Sequence, residues 1–270
     1  MSIKIFMCTH KETDFVPSPC EAILGGAISK SVPGIKGDVG PGGDISAKNP
    51  NYCELTVLYY AYKNESYDYY GLCHYRRFFG TPSATKKPYL AISKPNSELL
   101  VSESELEALL QSYDVILPRT ENIGLTVMEK YERSPHQFKS DLVLFCDIVR
   151  QFAPHIAPFM DEYLNSYEQY FCNMLIMKAD IFKDYCSILF DLMEKFDEQK
   201  TLHGYFEADR TNGYLAERFL GAYALYLQSK GVKIYHLPRI DTNCSLKKRI
   251  LNKILPPQSK IRQRLRRCKK

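Results

Sequence analysis

The sequence predicts an α/β fold, a mainly parallel sheet flanked by helices, followed by a basic C-terminal helical tail. Three observations carry this. Short apolar runs alternate with longer segments whose apolar residues recur at helical spacing, the pattern of strands joined by crossover helices. At 270 residues, the chain is long enough for one large domain or one domain with a helical extension. The charge is also unevenly placed: eleven Lys or Arg and no Asp or Glu fall between Lys247 and Lys270, leaving 25 basic against 31 acidic residues before them.

Taken in order, residues 3–8 read as a strand ending at Thr9, His10 and Lys11. The stretch 17–43 is rich in Gly, Pro and Ser and reads as loop. Leu55, Leu58, Tyr59 and Tyr62 recur at helical spacing and predict a helix to about Asn64. Residues 67–73 form a short apolar strand that runs straight into His74, Tyr75, Arg76, Arg77, Phe78 and Phe79. Ser102 with Glu105 makes a capping box for a helix over 102–110. There follow a strand over 113–118, a mostly helical region over 134–163 and a strand over 170–177. Helices over 179–196 and 214–230 and a last strand over 231–237 complete the pattern. There is no internal repeat.

Hydrophobic residues make up 45% and charged residues 25%, ordinary for a globular chain. No apolar run approaches the roughly 20 residues that span a bilayer. The opening residues turn polar too soon for a signal peptide. Nine cysteines, an odd number without a C-x-x-C pair, suggest neither a disulfide framework nor a zinc site. They read as small buried hydrophobes in a reducing cytoplasm. Nucleic acid is disfavoured as a partner, because the body before the tail is acidic and no recognition motif is present. G-x-G-x-x-G, the phosphate-binding P-loop, H-E-x-x-H and G-x-S-x-G are all absent.

In open α/β sheets, ligands bind where loops leave the carboxyl ends of strands. Two polar strings sit at such ends, Thr9 to Lys11 and His74 to Arg77, so they can share one crevice. Two adjacent guanidiniums with an imidazole suit a phosphate or diphosphate, because Arg gives forked bonds and keeps its charge. The alternative is a solvated salt-bridge patch. A buried strand feeding directly into the string argues for the anion site.

Four motifs resemble a known family. They are Asp-Ile-Ser-x-Lys-Asn-Pro-Asn-Tyr-Cys-Glu-Leu-Thr from Asp44, Tyr-Gly-Leu-Cys-His-Tyr-Arg-Arg-Phe-Phe from Tyr70, Cys-Asn-Met-Leu-Ile-Met-Lys from Cys172, and Arg-x-x-Gly-Tyr-Leu-Ala-Glu-Arg-Phe from Arg210. They are similar to a bacterial family catalogued as domain of unknown function 4422, whose members are capsular and exopolysaccharide glycosyltransferases. Some are associated with galactofuranose transfer. The resemblance runs from about residue 3 to 240.

It implies a GT-A-like transferase moving a hexose, galactofuranose or galactose, from a UDP-sugar to a lipid-linked or growing surface polysaccharide. Thr9, His10 and Lys11 would then face the nucleotide. His74, Arg76 and Arg77 would hold the diphosphate where many GT-A enzymes carry Asp-x-Asp for a divalent metal. No Asp-x-Asp occurs in this sequence, so catalysis without metal or other cofactor is expected. Asp44, Lys48 and Asn49 are expected at the donor, although a capping role for the next helix explains them about as well. Transfer with inversion needs a carboxylate to take the acceptor's proton. Glu217 is the first choice and Asp209 the second, each against the bland reading of a surface ion pair. Asn173, Arg210 and Arg218 are expected on the acceptor side, with a strand-end hydrogen bond as the other account of Asn173. Two competing functions are a non-catalytic nucleotide-sugar or carbohydrate binder with a degenerate transferase fold, and a nucleotide-sugar phosphohydrolase.

The expected organisation is a transferase domain over 1–241 and a tail over 242–270. Leu246, Ile250, Leu251, Ile254 and Leu255 fall on one side of a short helix whose other faces are basic. That composition suits an anionic lipid surface. It predicts a cytoplasmic protein held peripherally at the inner face of the plasma membrane.

Overall fold

The computed structural model describes residues 1–202, 210–256 and 258–268. The first half comprises β1 (Ile3–Thr9), β2 (Cys20–Leu24), β3 (Lys36–Gly37), α1 (Asn49–Tyr52), α2 (Leu55–Asn64), β4 (Tyr69–His74), β5 (Arg77–Phe79), β6 (Tyr89–Ala91), α3 (Glu103–Leu110), β7 (Val115–Pro118) and β8 (Glu121–Asn122). The second comprises α4 (Val127–Glu132), α5 (Lys139–Phe152), α6 (Ala157–Asn165), β9 (Glu168–Gln169), β10 (Leu175–Lys178), α7 (Ala179–Leu202), α8 (Thr211–Ser229), β11 (Ile234–Leu237), β12 (Arg239–Asp241), α9 (Leu246–Ile254) and α10 (Lys260–Cys268).

The main sheet runs β11-β7-β10-β4-β1-β2-β3. Its neighbours are parallel except at β10, which is antiparallel to both β4 and β7. A side branch carries β5 and β6 on β12, and β5 joins β4 where His74 pairs with Arg77. Both faces of the sheet are covered. Phe6, Tyr70 and Leu72 point into a core shared with α2, α5, α6, α7 and α8. Ile5, Met7 and Cys73 point into a second core with Phe78, Leu106 and Ile240. Strands buried on both faces need continuous apolar runs, which is why β1 and β4 carry them. Gly71 lets β1 and β10 pack closely on either side of β4, since a Cβ there would lie 2.8 Å from Ile5 Cγ1 and 3.2 Å from Ile176 Cγ1.

The expected fold class and most elements are present, including the Ser102–Glu105 capping box. Several elements differ from the sequence reading. The supposed loop 17–43 contains β2 and β3. Only Ile23 and Leu24 of β2 are buried, so its strand character comes from pairing with β1 rather than from its own composition. The strand expected over 170–177 is confined to Leu175–Lys178, because Cys172 adopts a left-handed φ of 77° that breaks extension. The basic tail holds two helices, α9 and α10, where one was expected. It returns to the body: Gln263 Nε2 donates to Asn122 O at 3.0 Å, and Arg266 Nη1 to Ile123 O at 3.2 Å. Among the described residues, no helix is long and apolar enough to cross a membrane.

Candidate functional site

The register of the sheet brings the predicted strings together. Cys8 pairs with His74, so the carboxyl ends of β1 and β4 lie side by side. Because β10 runs the other way, its beginning falls at that same edge: Leu175 pairs with Leu72, two residues short of His74. The corner between α1 and α2 and the start of α8 close the sides. Together they frame a crevice of about 350 Å³.

Seven of the nominated residues line it: Thr9, His10, Asn49, His74, Arg76, Arg77 and Arg210. Their roles differ. Thr9 spends its hydroxyl on the turn, donating to Lys11 O at 2.6 Å and accepting from Lys11 N at 3.3 Å. Asn49 donates from Nδ2 to Cys53 O at 2.8 Å and to Thr56 Oγ1 at 3.0 Å, so it locks the α1–α2 corner as it lines the crevice. Tyr75 gathers a second imidazole and two cations: His10 meets its ring edge-on at 4.9 Å, and Lys11 lies 5.5 Å and Arg76 4.9 Å from its centre. Burial depresses the His10 pKa, and Lys30, Arg76, Lys11 and Arg210 depress it further. The field in the crevice is cationic, as an anion site requires.

His74 is not one of those cations. Burial first, then the Arg77 guanidinium, hold its pKa down to about 3. The ring is neutral near pH 7, and its contact with Glu54 at 3.8 Å is neither an ion pair nor a hydrogen bond. Its buried Nε2 has no hydrogen-bond partner in the protein. It offers a hydrogen-bonding nitrogen to a ligand, whereas the charge comes from Arg76, Arg77 and Arg210.

Other nominated residues sit elsewhere. Lys48 pairs with Asp197 at 3.0 Å and lies over the Tyr52 ring, which turns it away from the crevice. Asp44 accepts from Ser46 N at 3.1 Å in a local turn and does not line the crevice either. Asn173 is buried, donating to Glu54 Oε1 at 2.7 Å and to Gly213 O at 3.0 Å. These two bonds tie the α1–α2 corner to α8. Arg218 is likewise buried, donating to Glu217 Oε2 at 2.6 Å, and its guanidinium lies 5.4 Å from the Tyr131 ring centre. Glu217 is half-buried on α8 and does not line the crevice, although its charge raises the pKa of both His74 and Arg77. Arg210 lines the crevice, where its Nε donates to Cys53 Sγ at 3.3 Å. Asp209 lies outside the described residues.

Sequence reasoning nominated neither Cys53 nor Glu54, yet both line the crevice. Cys53 has φ 52°, an uncommon conformation for a residue with a side chain, at the break between α1 and α2. Burial raises its thiol pKa to about 11, so it is a neutral partner for Arg210. The signal for both was the Tyr-Cys-Glu end of the first motif.

A mainly parallel α/β sheet with flanking helices and a crevice at its strand ends is a GT-A-like arrangement. Residues 4–229 match the family described as Domain of unknown function (DUF4422), and the chain belongs to that family. Among solved structures it is similar to the WbbM bifunctional glycosyltransferase in its apo form, with 25% identity and a TM-score of 0.82. That match covers 90% of this chain and 46% of WbbM, so this chain spans about half the length of its structural relative. No curated protein matches the chain.

Proposed function

We propose that the protein is a glycosyltransferase that moves a hexose, galactose or galactofuranose, from a UDP-sugar to a lipid-linked or growing surface polysaccharide. The observation that carries this is the convergence of Arg76, Arg77 and Arg210 at the strand ends, within a fold shared with a glycosyltransferase. The diphosphate lies against these guanidiniums, with the His74 nitrogen as a further hydrogen-bonding group. Charge that grows on the leaving UDP is met by fixed cations, which stabilise the transition state more than the bound donor. The acceptor hydroxyl attacks the anomeric carbon as the bond from that carbon to the diphosphate oxygen breaks. Glu217, oriented by Arg218, takes the hydroxyl proton, and the configuration inverts.

A divalent metal fits this crevice poorly. Among its described lining residues Glu54 is the one carboxylate, and Asn173 already bonds to it. Our reading is therefore metal-independent transfer. The exposed apolar side chains of the tail, with its basic charge, support a peripheral seat on the anionic inner face of the plasma membrane. The decisive experiment is a thermal-shift screen of nucleotides and nucleotide sugars with and without EDTA, followed by turnover of the hits. UDP or a UDP-hexose at about 100 times its Kd should add roughly 2.7 kcal/mol. No stabilisation by any nucleotide sugar at millimolar concentration would end the transferase reading, and activity restored by manganese after chelation would end the metal-independent one.

A further inference from the structure

A second cavity, of about 780 Å³, lies across the strand pair that carries Arg77. In that pair Arg77 of β5 stands opposite Asp241 of β12, and Asp241 lines the larger cavity. The floor is apolar and aromatic, from Tyr89, Ile123, Leu125 and Phe171. Buried Arg239 is held there by Glu121 at 3.0 Å and Asp241 at 2.7 Å. Lys130, Arg133, Arg262 and Arg266 add four more cations to the lining. Glu132, the remaining carboxylate of the lining, pairs with Lys139 at 2.6 Å. The cavity therefore carries more positive than negative charge, over a surface that suits a sugar ring.

The tail builds one wall, and does so with its polar side. Asn252 of α9 and Arg262 and Arg266 of α10 line the cavity, and Arg262 Nη1 donates to Asn252 Oδ1 at 2.9 Å. The apolar side chains Leu246, Ile250, Ile254, Ile261 and Leu265 of the same helices are exposed. This inverts the usual sense of a helix packed onto a protein in water, whose apolar stripe faces inward. Glu217 lines neither cavity, but its charge raises the pKa of His74 and Arg77 at the crevice and of Lys130 at the larger cavity.

Resting on the transferase reading above, we propose that this cavity is the acceptor site and takes a glycan joined to a diphosphate and a lipid. The diphosphate meets the guanidiniums, which bind phosphate oxygens in forked pairs. The sugar lies on the aromatic floor with its hydroxyl toward Glu217, and the lipid leaves along the exposed apolar side of the tail.

The test is calorimetric titration of the full chain with UDP saturating the donor crevice. Three probes are compared: a disaccharide diphosphate with a short alkyl chain, the same alkyl disaccharide without phosphate, and inorganic pyrophosphate. The diphosphate glycan should bind at least tenfold tighter than either of the others. Lys130→Ala and Arg262→Ala should each remove most of that advantage while leaving the Kd for UDP and for the neutral glycan unchanged, and Arg262→Lys should restore part of it. Should Arg262→Ala loosen the tail, Lys130→Ala on α4 still decides the matter. Equal affinity for neutral and diphosphate glycans overturns the proposal. So does pyrophosphate binding as tightly as the diphosphate glycan, or displacement of that glycan by phosphatidylglycerol vesicles, which would make the site one for free phosphate or lipid headgroups. Failure of UDP to bind strikes at the transferase reading instead, and the glycan titrations without UDP remain readable.

Discussion

At the scale of single residues, the crevice separates charge from hydrogen bonding. Arg76 is exposed and packs on the Tyr75 ring, so removing its guanidinium costs little packing. Arg76→Ala should lower kcat/KM by a factor of about 10²–10³, or roughly 2.7–4 kcal/mol of transition-state stabilisation, with an unchanged Tm. Steady-state kinetics beside thermal unfolding checks both halves. His74 acts differently. Its folded pKa of about 3 lies far below the roughly 6.5 of a free imidazole. Between those values the unfolded chain binds a proton that the folded chain refuses. The stability His74 contributes is therefore complete above about pH 6.5, and it falls by up to about 1.4 kcal/mol per unit as the pH drops toward 3. His74→Gln should flatten that slope, read as the difference in Tm between pH 7 and pH 5 for the two proteins; parallel pH profiles would contradict it. The sequence revealed which residues cluster, because His74 to Arg77 follow a strand directly. It did not reveal that burial neutralises His74 or that Asp197 draws Lys48 away, since both depend on distant chain.

At the scale of elements, α8 does most to fix the site, because it carries Glu217, receives the Asn173 bond at Gly213 and packs against α6. That packing has no slack. A Cβ at Gly221 would overlap the ring of Tyr163, which cannot swing aside because its hydroxyl accepts from Tyr170 N at 2.9 Å. Gly→Ala in an unconstrained helix stabilises by up to about 1 kcal/mol, whereas overpacking costs about 1–3 kcal/mol or more. The overlap wins, so Gly221→Ala should destabilise the fold, lowering Tm by several degrees in calorimetry. An unchanged or raised Tm would mean that the two helices can part. Elements with a strong local signal were legible: the 3.6-residue pattern of α2 and α7, the capping box of α3, the apolar runs of β4 and β7. Those defined by partners were not. The short strands β5, β6 and β12 form only by pairing with one another and with β4. The reversed direction of β10, which brings Asn173 against Glu54, has no local signature.

For the whole molecule, the acidic body and basic tail visible in the sequence acquire a direction in the structure. Ile254 and Ile261 are 77% and 64% exposed, so replacing them with Ser removes no internal packing. Each Lys or Arg near an anionic surface contributes about 1 kcal/mol, decaying over roughly 8 Å at physiological salt. Burying an exposed isoleucine in the interfacial layer adds about 1.5–3 kcal/mol that salt does not screen. The two contributions can therefore be told apart by ionic strength. The full chain should sediment with vesicles rich in phosphatidylglycerol at low salt, lose part of that binding at 0.5 M salt, and retain the rest through the apolar side chains. The Ile254→Ser, Ile261→Ser protein should keep its Tm and its low-salt binding in part, yet retain a much smaller fraction at high salt than the unaltered chain. Charge reversal at Lys247 and Lys253, both exposed, should do the opposite, weakening low-salt binding while sparing the salt-resistant fraction. If the full chain ignores anionic vesicles at low salt, the outward apolar side chains serve a protein partner, and the proposed membrane seat is wrong.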